Sequence, residues 1–242
     1  SVVTEDFATG ITVAGRVKYI AQSQRGLAAH GGLSPQDLFL RSYVETPGLG
    51  TDVALAGDYA LVADSGEGLS VVDISSPDEL RVVANRDTSS FAGAVQVYGS
   101  YAYVADGIQG LAVIDVSDPL NPGVPIYEPV SWVAWDIAVA RGYAFIAEGE
   151  AGVMIVDVRD PTNPLFVTRI DLFGDAVGIT VSGPYAYVAD LIQGFVVLDI
   201  SDPENPIQVG SSSLTPMRAV AVAGPHAYLL TNDDRMVGRR LW

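Results

Sequence analysis

The sequence predicts an all-β protein: a six-bladed β-propeller of four-stranded antiparallel blades. Two motifs that recur in step support this prediction. The first, of the form Ala-Tyr-Val-Ala-Asp, begins at residues 60, 102, 144 and 186, at intervals of 42 residues, and weaker copies begin at residues 18 and 227. The second is a short apolar segment that ends in an aspartate, at Asp73, Asp115, Asp157 and Asp199. A period of roughly 40–45 residues made of short β segments is typical of propeller blades.

Residues 51–86 show the elements of one blade in order. An inner strand begins near Val53, Gly57 and Asp58 form a tight turn, and a second strand follows from Tyr59. A glycine-rich turn leads to the third strand, which ends at Asp73, and a polar fourth strand comes after a proline. The six repeats cover approximately residues 7–47, 51–88, 93–130, 135–172, 177–214 and 218–242 of a single domain, 1–242.

The last repeat ends just after its third strand, whereas extra residues precede the first repeat. An unpaired edge strand is prone to aggregation. We therefore expect residues 1–5, with Val2 and Val3, to supply the outer strand of the last blade and to close the ring.

Composition excludes several classes of function. The net charge of −16, with a single lysine, disfavours binding to nucleic acid or to anionic lipid. No apolar run reaches the roughly 18 residues of a membrane span. Cysteine is absent, which excludes disulfides and thiolate metal sites. We expect a monomer.

The aspartate that ends each third strand is followed by Ser-x-Pro or a close variant, as at Asp115 and Asp199. An acid repeated in four blades serves the fold, because Asp and Ser before Pro shape turns through backbone hydrogen bonds. These residues, with the Leu-Val-Val-Asp type of strand, resemble the LVIVD repeat family over residues 51–210. The resemblance implies a propeller fold and an extracellular or cell-surface setting, and it brings no catalytic residue.

The loops from second to third strands and those from outer to inner strands share one face of a propeller, around its central funnel. The first set carries Asp64, Glu67, Asp106, Glu148, Glu150, Asp190, Asp233 and Asp234. The second set carries Arg86, Phe91, Tyr127, Trp132, Trp135, Asp136, Phe173, Asp175 and Arg218.

Comparing the blades separates residues that maintain the fold from residues that are free for function. At the mouth of the inner strand the equivalent residues are Thr9, Thr51, Gly93, Trp135, Val177 and Arg218. The next position reads Gly10, Asp52, Ala94, Asp136, Gly178 and Ala219. The larger and charged residues among these predict a ligand site formed by Trp135, Asp136, Asp52, Arg218, Trp132, Phe91, Phe173 and Tyr127. The alternative is that the tryptophans cap the core and that Arg218 pairs with Asp52 or Asp136.

The acids at the ends of the second strands, such as Asp64 and Asp106, offer oxygen ligands of the kind that Ca²⁺ takes. Because they recur in each blade, capping of turns is the favoured interpretation, and we predict no metal site. Only two histidines are present, His30 and His226, and both are predicted on the opposite face. A Ser-His-Asp triad at the mouth is therefore not expected.

These observations predict an exported or surface-associated propeller that binds a small molecule, a glycan or a protein at its funnel face. The alternative is an enzyme, a hydrolase, lyase or cyclase, that acts there on a small organic substrate through carboxylates, arginine and aromatic residues.

Overall fold

The computed structural model describes residues 6–34, 37–212, 216–231 and 235–241. Within these ranges every regular secondary-structure element is a β-strand, and the strands form six antiparallel sheets. The predicted six-bladed β-propeller is thereby confirmed. Residues 1–5, expected to close the ring, lie outside the described residues, as do Asp233 and Asp234.

The first compact unit comprises residues 1–107 and 112–126. It contains the sheets β1-β2-β3-β4 and β5-β6-β7-β8 and most of the sheet β12-β11-β10-β9. The strands are β1 (Ala8–Ala14), β2 (Val17–Gln22), β3 (Gly26–Gly31), β4 (Phe39–Val44), β5 (Asp52–Ala56), β6 (Tyr59–Ala63), β7 (Leu69–Asp73), β8 (Arg81–Arg86), β9 (Ala92–Tyr98), β10 (Tyr101–Asp106), β11 (Leu111–Asp115) and β12 (Ile126–Glu128).

The second compact unit comprises residues 108–111 and 127–242. Its sheets have the orders β13-β14-β15-β16, β17-β18-β19-β20 and β21-β22-β23, the last with three strands among the described residues. The strands are β13 (Asp136–Ala140), β14 (Tyr143–Ala147), β15 (Val153–Asp157), β16 (Leu165–Ile170), β17 (Ala176–Ser182), β18 (Tyr185–Asp190), β19 (Gly194–Asp199), β20 (Ile207–Ser212), β21 (Met217–Ala223), β22 (His226–Thr231) and β23 (Met236–Arg240).

The second and third strands of the first five blades are the most buried because neighbouring sheets within a unit pack face to face. In the first unit Tyr19 belongs to the same buried cluster as Val53 and Val62 of the next sheet. In the second unit Phe145 shares a cluster with Val188. Each such side chain contributes about 1.5–3 kcal/mol when it is fully buried. Burial on both faces explains why these strands read as continuous apolar runs.

The aspartates that end the third strands form turns, as predicted. The Oδ1 atom of Asp115 accepts a hydrogen bond of 2.8 Å from the backbone N–H of Ser117. Asp73, Asp157 and Asp199 accept the same bond from the residue two positions on, at 2.9, 3.0 and 2.9 Å. Hydrogen bonds from Ser117 hold the pKa of Asp115 below its ordinary value.

Candidate functional site

The residues at the mouth of the inner strands occupy a distinctive backbone position, which we call the mouth position. In four blades the register between the first and second strands shifts by one residue, and the extra residues are Thr9, Gly93, Val177 and Arg218. In the other two blades Thr51 and Trp135 stand directly before β5 and β13. Their backbone N–H groups donate to the carbonyls of Ala63 and Ala147 at 2.8 and 2.9 Å. A bulge changes the direction of a side chain, so this position is suited to displaying one.

The second unit contains a cavity of about 590 Å³. Its lining residues are Trp132, Trp135, Glu150, Asp175, Val177, Leu191 and Arg218. Three of them, Trp135, Val177 and Arg218, occupy the mouth position in consecutive blades, and the others come from the loops beside it. The structure thus brings together Trp132, Trp135 and Arg218 of the eight predicted ligand residues.

The two tryptophans meet over one glycine. A methyl group placed on Gly149 would lie 2.7 Å from Cδ1 of Trp132 and 3.3 Å from Nε1 of Trp135. Gly149 has a φ of +57°, in the left-handed region that favours glycine. Both indoles remain partly open, with 51% of Trp132 and 43% of Trp135 exposed. They line a cavity and are not sealed into the core.

Two carboxylates, those of Glu150 and Asp175, supply negative charge to the cavity. Burial, together with the charges of Asp190 and Glu150, raises the pKa of Asp175 above its ordinary value. Within the part of the chain that the structure describes, neither Glu150 nor Asp175 forms an ion pair. The lining contains one cation, the Arg218 guanidinium, beside these two acids.

The acids at the ends of the second strands are fully buried, and Asp64, Asp106 and Glu148 accept hydrogen bonds from the loop that enters their own blade. Asp64 accepts hydrogen bonds from the Thr46 hydroxyl at 2.6 Å, the Gly48 N–H at 2.9 Å and the Ser70 hydroxyl at 2.8 Å. Glu148 accepts from the backbone N–H groups of Ser131 and Trp132 and pairs with Arg169, whose Nε lies 2.6 Å from Oε2. These contacts confirm that Asp64 and Glu148 organise loops.

Two of these buried acids, Asp106 and Asp190, each have one carboxylate oxygen, Oδ2, without a hydrogen-bond partner among the described residues. Oδ1 of Asp106 accepts from the Thr88 hydroxyl at 2.7 Å, and Oδ1 of Asp190 accepts from the N–H of Ile192 at 2.7 Å. Burial raises the pKa of Asp106 to about 6. The loop at Gly174 passes directly over the Asp190 carboxylate, so a side chain larger than hydrogen would collide with it.

Asp52 and Asp136 have a packing role that comparison of the repeats did not anticipate. Oδ2 of Asp52 accepts a hydrogen bond of 3.0 Å from the backbone N–H of Val95, which lies on the inner strand of the next blade. Oδ2 of Asp136 accepts the equivalent bond from Ile179 at 2.7 Å. Burial raises the pKa of Asp52 above its ordinary value. Each carboxylate joins adjacent inner strands, and neither lines the cavity.

The remaining predicted ligand residues also lie outside the cavity lining. Phe173 is 85% exposed and has a φ of +53°, in a turn closed by a 2.7 Å hydrogen bond from its N–H to Asp171. Phe91 is 43% exposed in the first unit, and Tyr127 lies half-buried on β12. As ligand residues, these three and the aspartates stay predictions.

The predicted ligand residues do not include Leu191, Glu150 or Asp175, although the sequence places the two acids on the funnel face. Leu191 stands where the equivalent residues are Ser65, Gly107 and Gly149. A leucine replacing small residues at a loop position was the available signal.

Across the described ranges no group of three or more His, Asp or Glu side chains is arranged to hold a metal ion. The candidate Ca²⁺ ligands Asp64 and Glu148 are occupied by hydrogen bonds from the protein itself. No helix that could cross a membrane occurs in the described residues.

Comparison with known proteins agrees with the fold. The LVIVD repeat model matches residues 47–88, 91–125, 133–171 and 173–213. A crystal structure of the computationally designed Ika8 protein is similar, with a TM-score of 0.75 and 7% identity over 98% of this chain and 72% of that one. This likeness concerns the fold alone. No curated protein matches the chain in sequence.

Proposed function

The chain belongs to the LVIVD repeat family, and we propose that it is a binding protein whose ligand site is the cavity of its second unit. The observation that carries this proposal is the convergence of Trp135, Val177 and Arg218, which replace small or hydroxyl residues at the mouth position of other blades. Aromatic walls with a few polar groups are the usual lining of small-molecule sites. A volume of about 590 Å³ suits a ligand of small-molecule size.

Binding is favoured over catalysis by what the other acids do. Asp52 and Asp136 each use a carboxylate oxygen to hold a backbone N–H of the next blade, which leaves them poorly placed for proton transfer. Enzymatic action remains the second candidate, because a carboxyl of raised pKa in a cavity, here Asp175, is the kind of group that acts as a general acid.

The experiment is a screen of small molecules by ligand-observed NMR against the whole chain and two variants. Binding that disappears in Trp135→Leu and persists in Phe166→Leu supports the site, because Phe166 is an exposed aromatic of the same unit, outside the lining and not among the predicted ligand residues. Compounds that bind both variants as well as they bind the unmodified chain contradict the proposed site. Chemical change of a hit during the measurement, lost in Asp175→Asn, identifies the enzyme.

We also propose the extracellular or cell-surface setting, which rests on the family resemblance. Fractionation of the native host, followed by detection of the chain with an antibody, tests it. Recovery from the surface or the medium supports the proposal, and recovery from the cytosolic fraction alone overturns it.

A further inference from the structure

Resting on the proposed function, we infer that the ligand of the second-unit cavity carries an organic ammonium group, held against the indoles of Trp132 and Trp135 and balanced by Glu150 and Asp175. The inference names the chemical class of the ligand. It depends on two observations: the paired indoles, and the two carboxylates that line the cavity with them.

The indoles provide aromatic surface in the lining of the cavity. Trp132 and Trp135 both reach within 3.3 Å of the same point above Gly149, so they form one aromatic wall. About half of each tryptophan residue is exposed. Tryptophan is the best aromatic partner for a cation, and quaternary ammonium groups are recognised by such walls.

The carboxylates make the wall selective for positive charge. The cavity is lined by two acids and one guanidinium, Arg218. Burial is the main cause of the raised pKa of Asp175, and the negative charges of Asp190 and Glu150 add to it. An ammonium group would relieve that repulsion, whereas a neutral sugar would leave it in place.

The charge of the whole chain, −16, attracts cations over long range and so acts in the same direction as the two acids of the cavity.

The test compares choline with 3,3-dimethyl-1-butanol, which has the same shape but a carbon in place of the charged nitrogen. Binding is measured by calorimetry and by tryptophan fluorescence at constant ionic strength, since two of the three tryptophans line the cavity. We expect choline to bind at least about tenfold more tightly than the neutral isostere. Trp135→Leu should abolish the binding of both.

The variants assign the selectivity. The double variant Glu150→Gln, Asp175→Asn should reduce choline affinity to that of the isostere while leaving isostere binding unchanged. The matched control is Glu204→Gln, an exposed acid of the same unit outside the lining, and it should bind choline like the unmodified chain. Circular dichroism verifies that each variant is folded.

The outcomes separate this inference from the proposed function. Equal affinity for choline and its isostere, or Trp135-dependent binding of methyl glucoside without binding of choline, overturns the ammonium inference and leaves the site intact. If choline fails to bind at roughly 10 mM, the inference is also wrong. The proposed function is contradicted as well only if no compound in the small-molecule screen shows binding that depends on Trp135.

Discussion

The mouth positions of the two units lie at the same point of the blade and differ in what their side chains do. In the first unit the Thr51 hydroxyl donates to the carbonyls of Ala63 and Ala92 at 2.9 and 2.7 Å, and the Thr9 hydroxyl donates to those of Ala21 and Gly50 at 3.0 and 2.7 Å. In the second unit Trp135 and Arg218 occupy the same position and line a cavity. One position thus serves packing in one unit and a candidate binding site in the other.

The comparison shows why the repeats tolerate divergence there. The backbone N–H of Trp135 still donates to Ala147, as that of Thr51 does to Ala63. The strand register is therefore maintained by backbone bonds, and the side chain is released for other uses. Asp52 and Asp136, one residue further along, make the same bond in both units and carry no such freedom.

The largest expected effect on stability concerns Asp106, one of the buried acids common to both units. Its pKa is about 6 in the folded chain against 3.8 for an ordinary aspartate. Between these values the folded state binds more protons than the unfolded state, so the free energy of unfolding falls as the pH rises from about 4 to about 6. The loss is on the order of 2–3 kcal/mol and persists above that window.

Urea unfolding of Asp106→Asn between pH 4 and pH 8 checks this expectation. The variant should be more stable than the unmodified chain at pH 8 and should lose that advantage near pH 4. Asp64→Asn is the matched comparison: both Gly48 N–H and the Ser70 hydroxyl donate to Oδ2 of Asp64, so an amide should destabilise the fold. A pH dependence unchanged by Asp106→Asn would show that another group titrates.

The next effect concerns the inner-strand aspartates, which should behave alike in the two units. Asp52→Ala and Asp136→Ala each leave unpaired the N–H of a nearly buried residue, Val95 or Ile179. Each should lower the free energy of unfolding by about 1–3 kcal/mol. Equilibrium denaturation measures it. Loss of ligand binding by Asp136→Ala at full stability would instead assign this carboxylate to the ligand.

Removal of the hydroxyl at the first-unit mouth position should have a smaller effect. Thr51→Val keeps the shape of the side chain and removes hydrogen bonds to Ala63 and Ala92. We expect a loss of about 1 kcal/mol in the free energy of unfolding. Thr51→Ser, which retains the hydroxyl, is the control, and equal destabilisation by both variants would show that the methyl group matters more than the hydrogen bonds.

The smallest effect is expected at Phe173. Its φ of +53° is unfavourable for a bulky residue, and its side chain is 85% exposed. Phe173→Gly removes the strain and should change the free energy of unfolding by less than about 1 kcal/mol, toward greater stability. A melting curve measures the change. Marked destabilisation would show that Phe173 makes contacts that matter to the fold.

The fold could be predicted from the sequence because each blade repeats the same local solution. The strand pattern, the turn aspartates and the mouth position all follow from residues that recur at one interval. Trp135 and Arg218 were found by their departure from that pattern. The closing strand expected at residues 1–5 stays a prediction.

The site was predicted only in part, for physical reasons that a repeat pattern does not contain. The bond between Asp136 and Ile179 joins residues 43 positions apart, so an acid that looked superfluous to its own blade serves the next one. The left-handed backbone at Phe173 places an aromatic residue outside the cavity lining. Leu191 was overlooked because an apolar loop residue carries no chemical signal by itself.

The central claim is that the mouth position supports packing in the first unit and a ligand in the second. The most direct test compares the variants Trp135→Thr and Thr51→Val. For each variant, the free energy of unfolding and the affinity for choline are measured. We expect Trp135→Thr to lose binding by at least about thirtyfold at nearly unchanged stability, and Thr51→Val to lose stability at unchanged affinity. A loss of 3 kcal/mol or so in the stability of Trp135→Thr, in the range for truncated core aromatics, with binding retained, would contradict it.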